Sequence, residues 1–159
     1  MITRYGNIWD FHAEGGWIVI TTNIGWKNDG SNPMGAGLAK TAADKYPNLP
    51  IWYGKKCQKF RDDTAVLPYK PGRFFLFPTK PLATQPWLSW QQNSSVALIQ
   101  QSTKQLALWV EILQKDGKKF IKPIGVPLVG CQNGRLNSKQ VKPILEKYLN
   151  DKFVLFERY

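Results

Sequence analysis

Trp17-Ile18-Val19-Ile20-Thr21-Thr22-Asn23, followed after a short polar stretch by Asn32-Pro33-Met34-Gly35-Ala36-Gly37-Leu38-Ala39-Lys40, is the segment whose reading sets the fold class. Residues 17–22 are β-branched and apolar on both faces, as a strand buried inside a parallel sheet must be. The glycine-rich turn then opens a helix over 36–46, which stops because Pro47 disfavours helical geometry at Tyr46. A strand, a glycine-rich loop and a helix in that order turn backbone N–H groups toward an anion, so a nucleotide-like ligand is the first expectation.

Working outward, strands and helices alternate. Residues 2–5 suit a short edge strand, and 52–70 carry only a weak pattern, read as loop with one short helix. Arg73-Phe74-Phe75-Leu76-Phe77 is a second buried strand, entered through Pro71-Gly72 and ended by Pro78. A Pro/Trp-rich loop over 81–91 follows. Val96, Ile99, Leu106, Val110 and Leu113 then share one stripe of a long helix, capped by Asn93, Ser94 or Ser95 and closed by Gly117. Residues 120–128 are strand-like but broken by prolines. After the loop Val129-Gly130-Cys131-Gln132-Asn133-Gly134-Arg135-Leu136 comes a helix over 138–149. Pro143 inside it predicts irregular first turns or a start nearer Val141. Residues 152–156 close as a strand. With no repeat or linker, residues 1–159 are expected to form one α/β domain, its helices flanking a central sheet.

The chain has 159 residues and 43% apolar content, with seven Trp, six Tyr and eight Phe spread along it, which argues against disorder. No apolar run approaches the roughly 20 residues of a membrane span, and 1–5 lack a signal-peptide core. Cys57 and Cys131 are too few and too far apart for a disulfide framework, so a reducing, cytoplasmic setting is expected. His12 is the only histidine, and no metal or other cofactor is expected. The net charge of +11, from 22 basic and 11 acidic residues, favours a polyanionic partner, or else reflects solvated surface lysines.

Two glycine-rich loops, each between a strand and a helix, can meet at the carboxyl edge of one α/β sheet and grip a diphosphate from both sides. Other nucleotide motifs are excluded. Gly35-Ala36-Gly37-Leu38-Ala39-Lys40 has Lys where a dinucleotide fingerprint needs a third small residue. The pairs Gly54-Lys55 and Gly117-Lys118 are not followed by the Ser or Thr of a Walker loop.

The ordered set Asn23, Met34-Gly35-Ala36-Gly37-Leu38-Ala39, Phe77-Pro78-Thr79-Lys80 and Gly130-Cys131-Gln132-Asn133-Gly134-Arg135-Leu136 resembles the macro domains. It looks closest to the branch of DarG-type DNA ADP-ribosyl glycohydrolases and terminal ADP-ribose glycohydrolases. The resemblance implies a three-layer α/β/α sandwich with a central mixed sheet that binds ADP-ribose at its top. It implies adenine at Asn7 and Ile8, where many relatives carry Asp in place of Asn7. It also implies the distal ribose beside Met34, Gly35, Ala36 and Gly37, and the diphosphate at Gly130, Cys131, Gln132, Asn133 and Gly134. Thr79 would border the ligand. Phe156 is either an adenine-stacking ring or a core phenylalanine.

Lys80 is either a surface lysine or, as the resemblance implies, the match of the branch's catalytic lysine, acting as nucleophile on C1″ or on the ring-opened sugar or as proton donor; Asn23 either orients the distal ribose hydroxyls or satisfies backbone groups at the strand end. Terminal glycohydrolases carry an acidic residue at the position of Gly134, so Asn133-Gly134 points to the DNA-directed branch. The implied function is removal of ADP-ribose from a modified base in DNA, countering a DNA ADP-ribosyltransferase in a bacterial or phage setting. Single-stranded DNA is the expected partner, with the protein a monomer. A non-catalytic ADP-ribose binder and an ADP-ribose 1″-phosphate phosphatase are the alternatives. Trp87 and Trp90 either stack on an exposed base or pack on the long helix.

Overall fold

A computed structural model describes residues 1–83, 93–132 and 134–157. In chain order the elements are β1 (Ile2–Tyr5), α1 (Ile8–Ala13), β2 (Ile18–Asn23), α2 (Gly37–Lys45), α3 (Leu49–Phe60) and β3 (Leu67–Tyr69), then β4 (Phe74–Lys80), α4 (Val96–Lys115), β5 (Ile124–Pro127), α5 (Ser138–Tyr148) and β6 (Phe153–Glu157). The six strands form one sheet in the order β1-β6-β5-β2-β4-β3. Every neighbouring pair is parallel except β3 with β4, so the sheet is mixed, and all five parallel strands end on one edge.

Side-chain alternation along the strands splits the interior into two layers. Val19, Phe75, Phe77, Phe153 and Leu155 point to one face, where Ile99, Leu106, Val110 and Leu113 of α4 and Val141 and Leu145 of α5 cover them. Ile18, Ile20, Phe74, Leu76, Val154 and Phe156 point to the other, beneath α1, α2 and α3. Both faces of β2 and β4 are thus covered, which is why these strands read as unbroken apolar runs. Gly125 in β5 faces Phe11, whose ring would lie only 3.2 Å from an added Cβ; the missing side chain lets α1 settle on the sheet.

The sandwich agrees with the sequence reading, and several local expectations need correction. The weak stretch 52–70 contains most of α3, a 12-residue helix, and the short edge strand β3. Pro78 does not end β4, which runs on to Lys80. Pairing with β3 stops at Leu76, so the N–H that Pro78 lacks has no ladder partner to miss, and the Pro78 carbonyl accepts from Ser102 Oγ at 2.8 Å. Pro143 leaves the first turn of α5 regular from Ser138, because Asn137 and Gln140 form a complete capping box. Ser95 is the α4 cap, its hydroxyl accepting from Leu98 N at 3.2 Å. Strand β5 covers only Ile124–Pro127 of the 120–128 stretch. The 81–91 loop lies largely outside the described residues, as do Trp87, Trp90 and Asn133.

Candidate functional site

The carboxyl ends of the parallel strands carry almost every residue that the sequence singled out. Asn7 and Ile8 follow β1, Asn23 ends β2, Thr79 and Lys80 end β4, the Gly130 loop follows β5, and Phe156 lies near the end of β6. This edge is where open α/β sheets hold ligands, because the chain leaves each strand there with backbone groups not used by the ladder.

Asn23 and Lys80 are register partners across β2 and β4, just past an irregularity between Thr22 and Asn23 that shifts the pairing by one residue. Ile24 N donates to the Lys80 carbonyl at 3.0 Å, so the turn after β2 is tied to the end of β4. Lys80 is only 6% exposed. Burial pushes its ammonium pKa down, and the charge of Arg135 pushes it the same way. Thr79 is also buried, and its carbonyl accepts from Ser95 N at 2.9 Å, which sets the start of α4 beside the lysine.

The first glycine-rich loop leaves Gly35, Ala36 and Gly37 exposed, while Met34 is tucked into the core beneath α2 and α3. Gly37 has φ +60, a left-handed conformation that favours glycine, and α2 starts without a side-chain cap on its first N–H groups. The second loop is braced internally: Arg135 N donates to Gln132 O at 3.0 Å, Leu136 N to Gly130 O at 2.9 Å, and Ser94 N to Gly134 O at 3.0 Å. Gly130 sits at φ +76, and a Cβ there would stand 2.6 Å from Ile99 Cδ1. Cys131 is half-buried; burial raises its pKa, which opposes thiolate formation.

Asn7 caps α1, its side-chain oxygen accepting from Trp9 N at 2.9 Å, so its amide NH2 remains as a donor for a ligand. Ile8 is buried behind it. Phe156 is 7% exposed and packs in the layer beneath α1, its ring centroid 5.1 Å from that of Phe11, with the Arg4 guanidinium 5.5 Å from the ring.

Two residues at this edge were quoted within the sequence motifs but given no role there. Asn32 is 1% exposed, and its amide NH2 donates to Asn23 O at 2.8 Å and Gly25 O at 2.9 Å, clamping the turn after β2. Arg135 adopts φ +63 and brings its charge to Lys80. Its place directly after Gly134 was the available signal; Asn32 offered none beyond the proline that follows it. Among the described residues no cluster of three or more His, Cys, Asp or Glu side chains is arranged to hold a metal, and no helix is long and apolar enough to cross a membrane.

No protein-family model matches the chain, and no curated protein matches it in sequence. Solved structures do. The chain is similar to the macrodomain of Thermus aquaticus DarG, with 23% identity and a TM-score of 0.70 over 98% of this chain and 97% of that one. It is similar to the macrodomain of Mycobacterium tuberculosis DarG, with 22% identity and a TM-score of 0.70 over 98% and 97%. It is also similar to Thermosipho africanus DarTG solved in complex with ADP-ribose, with 20% identity and a TM-score of 0.69, covering 98% of this chain and 41% of that longer one. The chain therefore has the macrodomain fold.

Proposed function

We propose that residues 1–159 act as one ADP-ribose-binding domain that hydrolyses the bond between ADP-ribose and a modified base in DNA, with Lys80 carrying the chemistry and Asn23 orienting the distal ribose. The observation that carries this reading is a buried lysine at the carboxyl end of β4, in register with Asn23 and with the charge of Arg135, which follows the second glycine-rich loop, close by. The solved structure with ADP-ribose bound has the same fold, which supports the choice of ligand.

Breaking the C1″–base bond builds positive charge on the anomeric carbon, and water must finally occupy that position. A lysine helps if its amine is neutral and attacks the sugar, or if its ammonium protonates the departing base. The depressed pKa of Lys80 favours the first role, because burial and Arg135 both raise the neutral fraction. Asn23 carries its amide at the end of the neighbouring strand, in register with Lys80. The exposed Gly35–Gly37 turn leaves room for a ribose, and the net charge of +11 suits a substrate that brings phosphates.

Isothermal calorimetry with ADP-ribose, run beside product analysis on an ADP-ribosylated single-stranded oligonucleotide and on ADP-ribose 1″-phosphate, tests the reading. Free ADP-ribose released from the oligonucleotide, without phosphate release from the phosphorylated sugar, is the expected pattern. A second reading, binding without turnover, draws on the absence of any acidic side chain in both loops, 32–40 and 129–136. Tight ADP-ribose binding with an intact oligonucleotide adduct is its signature.

A further inference from the structure

Beside the Lys80 edge, the loop from Gly25 to Ser31 and the outer face of α3 enclose an open groove of about 540 Å³. Trp26, Lys27, Asp29, Ile51, Lys55 and Gln58 form its walls. The groove is built into the fold. Gly54 of α3 lies directly against the Gly30 carbonyl and stands close to Asn32 N, so any side chain at 54 would push the loop away. Gln58 Nε2 donates to the same Gly30 carbonyl at 3.2 Å, and Asn32 N donates to Pro50 O at 2.9 Å. Leu49, Tyr53 and Cys57 hold α3 to the core, which leaves Ile51, Lys55 and Gln58 on the opposite face at helical spacing.

The groove also adjoins the reaction edge. Gly25, two residues after Asn23, lies against Leu82, two residues after Lys80; an added Cβ at 25 would be 3.6 Å from Leu82 Cδ1. Trp26 is the next residue. A chain emerging from the Lys80 site therefore meets Trp26 first and the α3 cations beyond it.

We propose that this groove seats the nucleotides flanking the modified base of a single-stranded DNA substrate, with Trp26 and Ile51 receiving a base and Lys27, Lys55, Lys59 and Arg61 meeting phosphates. This rests on the DNA-directed reading of the site above. Two features select a nucleic acid over other occupants. One is a cation set beside the groove's aromatic ring: Arg61 stands 5.2 Å from the Trp26 ring centroid, and past the groove Lys59 stands 5.3 Å from that of Phe60. Single strands are held by stacking platforms along a basic track. The other is an excess of positive charge, only partly offset where Asp29 feels the charge of Lys27. No acidic residue occurs from 46 to 61, and among the described residues Lys27, Lys55, Lys59 and Arg61 make no salt bridge. Asp29 is the one carboxylate in the wall, and it is turned to its own loop, accepting from Ser31 N at 3.0 Å and Ser31 Oγ at 2.7 Å. Asp62 and Asp63 follow Arg61 and bound the track at that end.

Fluorescence anisotropy with a labelled, unmodified single strand of roughly 12 nucleotides tests this, a length within the about 4–16 nucleotides that a single-strand-binding OB fold covers. Trp26→Ala should weaken binding by about 5- to 150-fold, the span measured for loss of one stacked base. The exposed pair Lys27→Glu/Lys55→Glu should weaken it further and lower the salt slope by about 0.7 for each phosphate left without its lysine. Both variants should bind free ADP-ribose as the parent does, which also reports that they fold. If Trp26→Ala fails to fold, the charge pair carries the test alone. Oligonucleotide affinity unchanged in the groove variants overturns the proposal, as does equal competition by polyglutamate, which would mark an acidic peptide as the occupant. Absence of ADP-ribose binding in the parent, with groove-dependent oligonucleotide binding intact, would sink the enzymatic reading instead and leave the groove standing.

Discussion

Around Gly35 an added methyl group would meet nothing within 4 Å, whereas at Gly134 it would run into Ser94 Oγ and stand 2.5 Å from the Gly130 carbonyl. The two loops have similar glycine content in sequence and opposite physical reasons for it. In the second, glycine is what allows the loop to fold back on itself and on the start of α4. In the first, neither packing nor a left-handed φ explains Gly35, so the space above it is the remaining reason. One loop is full because the fold needs it; the other is open, where the proposed function puts the ribose.

This contrast can be broken directly. Gly134→Ala should lose about 1–3 kcal/mol through overpacking against backbone that cannot yield. A thermal melt would read this as a fall of about 2–4 °C per kcal/mol in a chain of this size; an unchanged midpoint would mean that the loop relaxes freely. Gly35→Ala should leave the melt within about 0.5 kcal/mol of the parent, as surface changes do. Its ADP-ribose affinity, read by calorimetry, should fall by about tenfold, equivalent to roughly 1.4 kcal/mol. Stability lost without affinity lost would reverse the assignment of the two loops.

A subtler effect links the second loop to the lysine. Arg135→Gln removes a positive charge that disfavours the ammonium form, so the Lys80 pKa should rise. If the neutral amine is the working form, the rising limb of the pH–rate profile moves to higher pH in this variant. A limb that stays in place would separate Arg135 from the chemistry.

The smallest expected effect lies far from both loops. His12 is buried, and its Nε2 is 2.6 Å from the Gly72 carbonyl. Burial lowers its pKa; the Gly72 carbonyl opposes this, while Arg73 and Lys45 add to it. The unfolded chain therefore takes up a proton near pH 6.5 that the folded chain resists. The stability contributed is present above that pH and is lost as pH falls toward the lower folded value. His12→Gln should flatten this acid limb of the melting curve, and a limb of unchanged slope would assign it to other groups.

The sheet was legible because β2, β4 and β6 are covered on both faces and so carry long apolar runs. Helix α3 was not, since two of its core contacts are Tyr53 and Cys57 rather than aliphatic residues, and it contains Pro50 and Gly54. Gly54 weakens the helix signal for a tertiary reason, the approach of the Gly30 carbonyl, that no local pattern encodes. The passage of β4 through Pro78 was hidden for a similar reason: it depends on where β3 stops. At the candidate site, the loops and the strand-end lysine could be read from residue order. The clamp by Asn32 and the charge of Arg135 beside Lys80 depend on contacts between distant segments, and only the fold reveals them.

The most direct test compares single-turnover release of ADP-ribose from an ADP-ribosylated single-stranded oligonucleotide by the parent protein and by Lys80→Ala, with ADP-ribose affinity measured on both. The parent should release free ADP-ribose, and the variant should be slower by about 10²-fold or more, the floor for losing a positioned proton-transfer group and exceeded if the amine is the attacking nucleophile, while still binding ADP-ribose. Equal release by the two proteins would contradict the assignment of the chemistry to Lys80.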